Sequence, residues 1–146
     1  MKKLLFSGVL LSTLLACQKE TIIVQPVARE TKSVVLNLQQ GQDYSGPAYD
    51  GVEAEVKLAI SRINKQTGAR SLEWDSTIQF KSLRSFPQAQ NPRQIVKLVS
   101  NVDDNTETVS ASYSIRYRDA QSRIQQVGRN EFVPAGATSL QLNVRL

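Results

Sequence analysis

From Val34 onward, apolar and polar residues alternate one for one in a series of short runs. A period of two sends successive side chains to opposite faces of an extended strand, so each run predicts a strand with one buried face and one wet face. Val34, Leu36 and Leu38 form the first run. Val52, Ala54, Val56, Leu58 and Ile60 form the second, alternating with Glu53, Glu55, Lys57, Ala59 and Ser61. Leu72, Trp74, Ile78 and Phe80 are expected to share one face of a third. Residues 94–102 are apolar on both faces, with Val96, Leu98 and Val102 against Ile95 and Val99. Val109, Ala111, Tyr113, Ile115 and Tyr117 alternate with Ser110, Ser112, Ser114, Arg116 and Arg118, residues 123–128 follow, and Leu140, Leu142, Val144 and Leu146 close the chain.

Turn chemistry separates these runs. Residues 41–51 carry Gly41, Gly46, Pro47 and Gly51, residues 64–68 read as a hairpin loop with Gly68 in a left-handed conformation, and Asp103–Thr106 and Asp119–Ser122 are rich in turn formers. Pro87 and Pro92 bracket a further break. Residues 51–67 admit a second reading. Asp50-Gly51-Val52-Glu53 fits a helix capping box, and Val52, Val56, Ala59, Ile60 and Ile63 share a helical face. The helix would turn Leu58 to solvent, whereas the strand leaves no apolar residue misplaced up to Ile60, so the strand is preferred. About seven strands, each with one apolar face, bury that face best as two facing sheets. The expected fold is all-β: a single antiparallel β-sandwich domain over 33–146, immunoglobulin-like or transthyretin-like.

The N-terminus breaks the pattern. Met1-Lys2-Lys3 precedes an uncharged run of 13 residues, Leu4–Ala16, and then Cys17. That run is short of the roughly 20 residues a membrane span needs and has the form of an export signal. Leu14-Leu15-Ala16-Cys17 resembles the lipobox of bacterial lipoproteins: Leu14 is three residues before the Cys, Ala16 is the small residue just before it, and Leu15 is bulkier than usual at its place. The resemblance covers only the first 17 residues. It implies cleavage after residue 16 and acylation of Cys17, which would hold the protein on a membrane by its acyl chains. It also implies an envelope location. Gln18, in place of a retention Asp, points to the outer rather than the inner membrane, and Gln18-Lys19-Glu20 is similar to short surface-export signals. Residues 17–32 then read as the lipidated end and a tether, interrupted by Pro26, whose Ile22-Ile23-Val24 could instead pair as an edge strand.

Composition sharpens this picture. The chain of 146 residues has 18 Lys+Arg, 13 Asp+Glu, one Cys and no His. Lacking His, it lacks the commonest general base and metal ligand. One Cys allows no intrachain disulfide. Without Lys2 and Lys3 the excess is +3, and residues 111–146 carry all of it: Arg116, Arg118, Arg123, Arg129 and Arg145 against Asp119 and Glu131. Export removes nucleic acid as a partner for this charge and leaves an anionic glycan, a headgroup or an acidic protein face.

No nucleophile–base pair is visible, and Glu53 and Glu55 beside Lys57 read as a solvated strand face, so no enzyme and no cofactor is expected. Asp103, Asn105 and Glu107 have the alternate spacing that opens a calcium loop, but Thr108 stands where that loop needs Gly, and a hairpin turn explains the same residues. Tyr44 and Tyr49, flanked by Asp43 and Asp50, could hold a sugar or a peptide or simply pin a long loop. Trp74, Tyr113 and Tyr117 fall in phase with core positions. Arg116, Arg118 and Arg123 are expected on one face of the hairpin that starts at Tyr113, a fork-rich patch for carboxylate, phosphate or sulfate or else a charged edge. Two functions follow as expectations. The first is a membrane-anchored envelope lipoprotein with a structural or protein-binding sandwich, such as an accessory subunit of an envelope or secretion complex. The alternative is a surface lipoprotein that captures glycan or peptide through the Tyr44/Tyr49 loop.

Overall fold

The computed structural model describes residues 28–146. The expected signal segment, Cys17 and Ile22-Ile23-Val24 lie outside the described residues. Seven strands follow in order: β1 (Glu30–Gln39), β2 (Glu53–Asn64), β3 (Arg70–Ser82), β4 (Arg93–Val102), β5 (Glu107–Arg118), β6 (Ile124–Phe132) and β7 (Ser139–Arg145). They form two packed sheets, ordered β4-β1-β7 and β3-β2-β5-β6. The segment open to a helical reading is strand β2. It pairs antiparallel with β3 on one side and β5 on the other, and a central strand with a full apolar face outweighs a local cap signal.

The expected all-antiparallel pairing needs one correction. β1 and β7 run parallel, from Ser33 opposite Ser139 to Gln39 opposite Arg145. The first and second strands also lie in different sheets. An immunoglobulin sandwich places them together, so the strand order departs from the immunoglobulin one. β1 begins at Glu30, inside the segment expected to be tether, because Lys32 is buried rather than solvated.

The core is what the alternation predicts. Val34, Leu36 and Leu38 of β1 and Leu142 and Val144 of β7 face Val56, Leu58 and Ile60 of β2 and Ile115 of β5, all at most 1% exposed. Burying each such side chain is worth about 1.5–3 kcal/mol. Strand β3 departs from the expected single face. Two irregularities, opposite Ala54/Val56 and opposite Ile60/Ser61, shift its phase. Trp74 (beside Ile60) and Ile78 (beside Val56) turn inward, while Leu72, beside Ser61, is 62% exposed and Phe80 lies on the outer face. A bulge of one residue flips every side chain beyond it. Trp74, Tyr113 and Tyr117 pack against the core but stay half-buried rather than enclosed.

The loops sort to two ends. The start of β1, the β2–β3 hairpin, the β4–β5 turn and the β6–β7 loop share one end; the β1–β2 loop, the β3–β4 connection, the β5–β6 turn and Leu146 share the other. Gly68 is left-handed, as expected, at φ 70°. At the first end Lys32 Nζ donates to Glu30 Oε2 at 2.8 Å, Asp104 Oδ2 at 2.6 Å and the Ala137 carbonyl at 2.9 Å. At the second, Gln40 Nε2 donates to the Leu83 and Phe86 carbonyls at 3.2 and 2.9 Å and holds a short 3-10 turn over residues 83–85 against β1.

Candidate functional site

The basic residues of the C-terminal third do not converge. Arg116 and Arg118 lie on the outer face of the four-stranded sheet, opposite Glu55 and Glu53 of β2. Arg116 donates to Glu55 Oε1 at 3.2 Å and Arg118 Nε to Glu53 Oε2 at 3.1 Å, and both guanidinium groups sit over the Phe80 ring, 5.6 and 4.2 Å from its centroid. Four charges are thereby matched in two cross-strand pairs, with Phe80 beneath the arginines. Arg123 precedes β6 instead. Its guanidinium donates to Asp119 Oδ2 at 2.6 Å and its backbone N–H to Asp119 Oδ1 at 2.9 Å, closing the β5–β6 turn. One strand face therefore holds two of the three arginines, and the third belongs to the end of the sandwich.

The acidic turn at Asp103 is similarly occupied. Asp103 Oδ1 accepts the Asn105 N–H at 2.9 Å, its Oδ2 accepts the Thr106 hydroxyl at 3.0 Å, and Glu107 Oε2 accepts from Arg62 at 3.1 Å. The Asn105 N–H holds the Asp103 carboxyl below its ordinary 3.8, against partial desolvation. Asp103, Asn105 and Glu107 thus make a hairpin turn, and among the described residues no group of three or more His, Cys, Asp or Glu side chains is placed to hold a metal.

Two features remain open. The first is a cavity of about 480 Å³ at the second end, between the β1–β2 loop and the β5–β6 turn. The two loop tyrosines meet there edge to face, with ring centroids 4.9 Å apart. Tyr44 is 5% exposed and pins the loop to the core, while Tyr49 is half-buried and accepts a 2.7 Å hydrogen bond from Gln42 Nε2 through its hydroxyl. Tyr117 lines the cavity from β5; burial, then the neighbouring Tyr44 and Tyr113, push its phenol up to about 12. Asp119, Arg123 and Gln125 form the opposite wall, and Ala48, Val52 and Leu83 the apolar part. Desolvation pushes the Asp119 carboxyl up, but the N–H groups and guanidinium of Arg123 and the Gln121 N–H outweigh it and hold it below 3.8. A second depression of about 510 Å³, lined by Gln88 and Gln90, shares Gln42 with the first. Sequence reasoning found Tyr44, Tyr49 and Arg123 but not Gln42, Asp119 or Gln125, and it placed Tyr117 in the core; the turn signal at Asp119–Ser122 was the available clue that this hairpin end would close on the long loop.

The second open feature is the side of the sandwich. Three strands cover four, so β6 projects past the smaller sheet. All its residues are exposed except the half-buried Glu131, including Ile124 at 52%, Val127 at 49% and Phe132 at 48%. Val127 lies opposite Ile115 and faces inward, under the position an eighth strand would take beside β7. The N–H of Leu146 and the carbonyls of Thr138 and Leu146 bond toward β1 and its flanks, so by alternation the N–H and C=O groups of Ser139, Gln141, Asn143 and Arg145 point to the opposite edge, which is unpaired among the described residues. That edge carries no Pro and no Lys, the usual guards of an exposed strand. No known protein family, curated protein or solved structure matches the chain.

Proposed function

We propose that the chain is a lipid-anchored envelope lipoprotein whose β-sandwich binds a protein partner and catalyses no reaction. Acylated Cys17 is its membrane anchor, and the outer membrane its place. The observation that carries the binding reading is the strand position beside β7, which no described residue occupies and which Val127 floors. An extended segment there gains main-chain hydrogen bonds from the free edge and buries alternate side chains against β6. The partner is a protein because only a polypeptide repeats donors and acceptors at strand spacing.

The test uses the full chain in its own membrane. A photo-crosslinking residue at Val127 is expected to give one discrete protein adduct, and one at Thr77, on the outer side of β3, none. Gln141→Pro removes a free-edge N–H without touching the β1–β7 ladder and should abolish the adduct while the fold persists. An adduct that survives Gln141→Pro would sink the strand-pairing reading. Cys17→Ser should release the protein from the membrane, and retention of that variant would sink the anchor.

A further inference from the structure

We infer that the end cavity is a binding site for a neutral saccharide chain, a function independent of the strand edge. Three observations carry this. The first is charge. Among the described residues, Asp119 and Arg123 are the only ionised groups lining the first cavity and are paired at 2.6 Å, so that cavity offers no net charge to an anion or a cation, and the second depression adds only the Asp43 carboxylate, whose oxygens accept from the Ser45 N–H and hydroxyl. The second is the mixture of surfaces. The half-buried Tyr49 ring and Val52 give apolar area, while Gln42, Gln125, the Tyr117 phenol and the Asp119–Arg123 fork give donors and acceptors around it. A pyranose has that same division: an apolar C–H face, and hydroxyls around the rim that each donate and accept. An amide side chain offers both roles from one group, and a carboxylate beside a guanidinium offers paired acceptors and donors to vicinal hydroxyls. A purely apolar ligand would leave these polar groups unpaired and so be penalised.

The third observation is extent and position. The second depression, with Gln88 and Gln90, shares Gln42 with the first. A saccharide longer than one ring would reach from one to the other. The site lies at the end of the sandwich opposite the start of β1, and strands of ten residues separate the two ends by about 30 Å. A chain held through its N-terminus presents this end away from the attachment point, where a polymer can reach it.

The experiment is a titration of the full chain, in detergent, with glucose, cellobiose, maltotriose and N,N′-diacetylchitobiose, followed by ¹⁵N–¹H correlation spectra. The expected result is a saturable shift of the Gln42 and Gln125 side-chain amides and of backbone 119–123 with at least one saccharide, tighter for the oligosaccharide than for glucose. Gln125→Ala should weaken that binding at least about tenfold. Because Tyr49→Ala can loosen the loop, Gln125→Ala is the primary variant, and Asp119→Asn, which keeps the side chain's shape, is its companion. The inference is overturned if none of the four sugars shifts these resonances, or if the shifts persist unchanged in both variants. It is overturned equally if an extended peptide saturates the site while the sugars do not.

Discussion

Lys32 is the polar residue on which the first end of the fold depends. Its side chain is 1% exposed, and its three donors are all used, on Glu30, Asp104 and the Ala137 carbonyl. It thereby fixes the start of β1 to the β4–β5 turn and the β6–β7 loop. Lys32→Met keeps the length and apolar stem and removes the ammonium, its charge and its three donors. Leaving a fully enclosed ion without its partner costs about 3–5 kcal/mol, and breaking an exposed pair costs less than about 1 kcal/mol. Here the carboxylates are 46% and 33% exposed and can rehydrate, whereas the Ala137 carbonyl loses its donor. The expected loss is therefore about 2 kcal/mol, or about 8 °C in melting temperature for a domain of this size.

Urea denaturation of the wild type and of Lys32→Met at pH 7 measures that loss directly. Hydrogen bonds to Asp104 and then Glu30 raise the Lys32 pKa above its ordinary 10.5, so folding favours the charged amine. Its contribution is then complete below pH 10.5 and disappears as pH rises through the folded value. The gap between the two proteins should stay constant from pH 7 to about 10 and close above that. A gap under about 0.5 kcal/mol at pH 7, within the range of an ordinary surface change, would refute the reasoning. So would a gap that widened in alkali.

Three further outcomes are expected. Arg62 donates to Glu73 at 2.8 Å, to Glu107 and the Asn101 carbonyl at 3.1 Å and to the Ser100 carbonyl at 2.8 Å, joining β2 to β3, β5 and the end of β4, so Arg62→Lys should lose about 2 kcal/mol in chemical denaturation, because one ammonium cannot serve a planar fork. Gly41→Ala would put a Cβ 2.4 Å from the Leu146 carbonyl oxygen and should cost about 1–3 kcal/mol, with faster hydrogen exchange at Leu146. The Asp43, Asp103 and Asp119 carboxyls are all held below 3.8, so their contributions are present above that pH and lost as pH falls below it; Asp103→Asn should flatten this acid limb of the stability curve, and an unchanged limb would show that the turn does not depend on the ionised group.

The strands were legible because their alternation is a direct consequence of one-sided burial. What stayed hidden depends on pairing. Leu72 and Phe80 read as inward-facing, and only the register of β3 against β2 reveals the bulges that turn them out. Lys32 read as tether because its three partners come from positions 30, 104 and 137, which no local window connects. Arg116, Arg118 and Arg123 share a hairpin in sequence, yet Glu53 and Glu55 of β2 claim two of them and Asp119 the third. The tyrosines of the long loop were visible as a chemical signal. The amides and the Asp119–Arg123 pair across the cavity were not, since they reach it only after β5 and β6 fold back beneath the loop.

The uneven sheets also decide which partner the open side admits. Two sandwiches could in principle join β7 to β7 across a two-fold axis and make one six-stranded sheet. In that arrangement the second copy's β7 would take the vacant position above β6, and its own projecting β6 would have to lie beneath the first copy's β7, where β5 already packs. The collision follows from the order of strands alone. A lone extended segment brings no second layer and meets no such obstacle. The projecting β6 thus performs, by shape, the protection that Lys or Pro usually provides chemically at an exposed edge. The full chain is accordingly expected to remain monomeric in detergent at concentrations where an unguarded strand edge would associate. A two-fold dimer crosslinked through cysteines placed at Asn143 would show that the strand position is not reserved for a single segment.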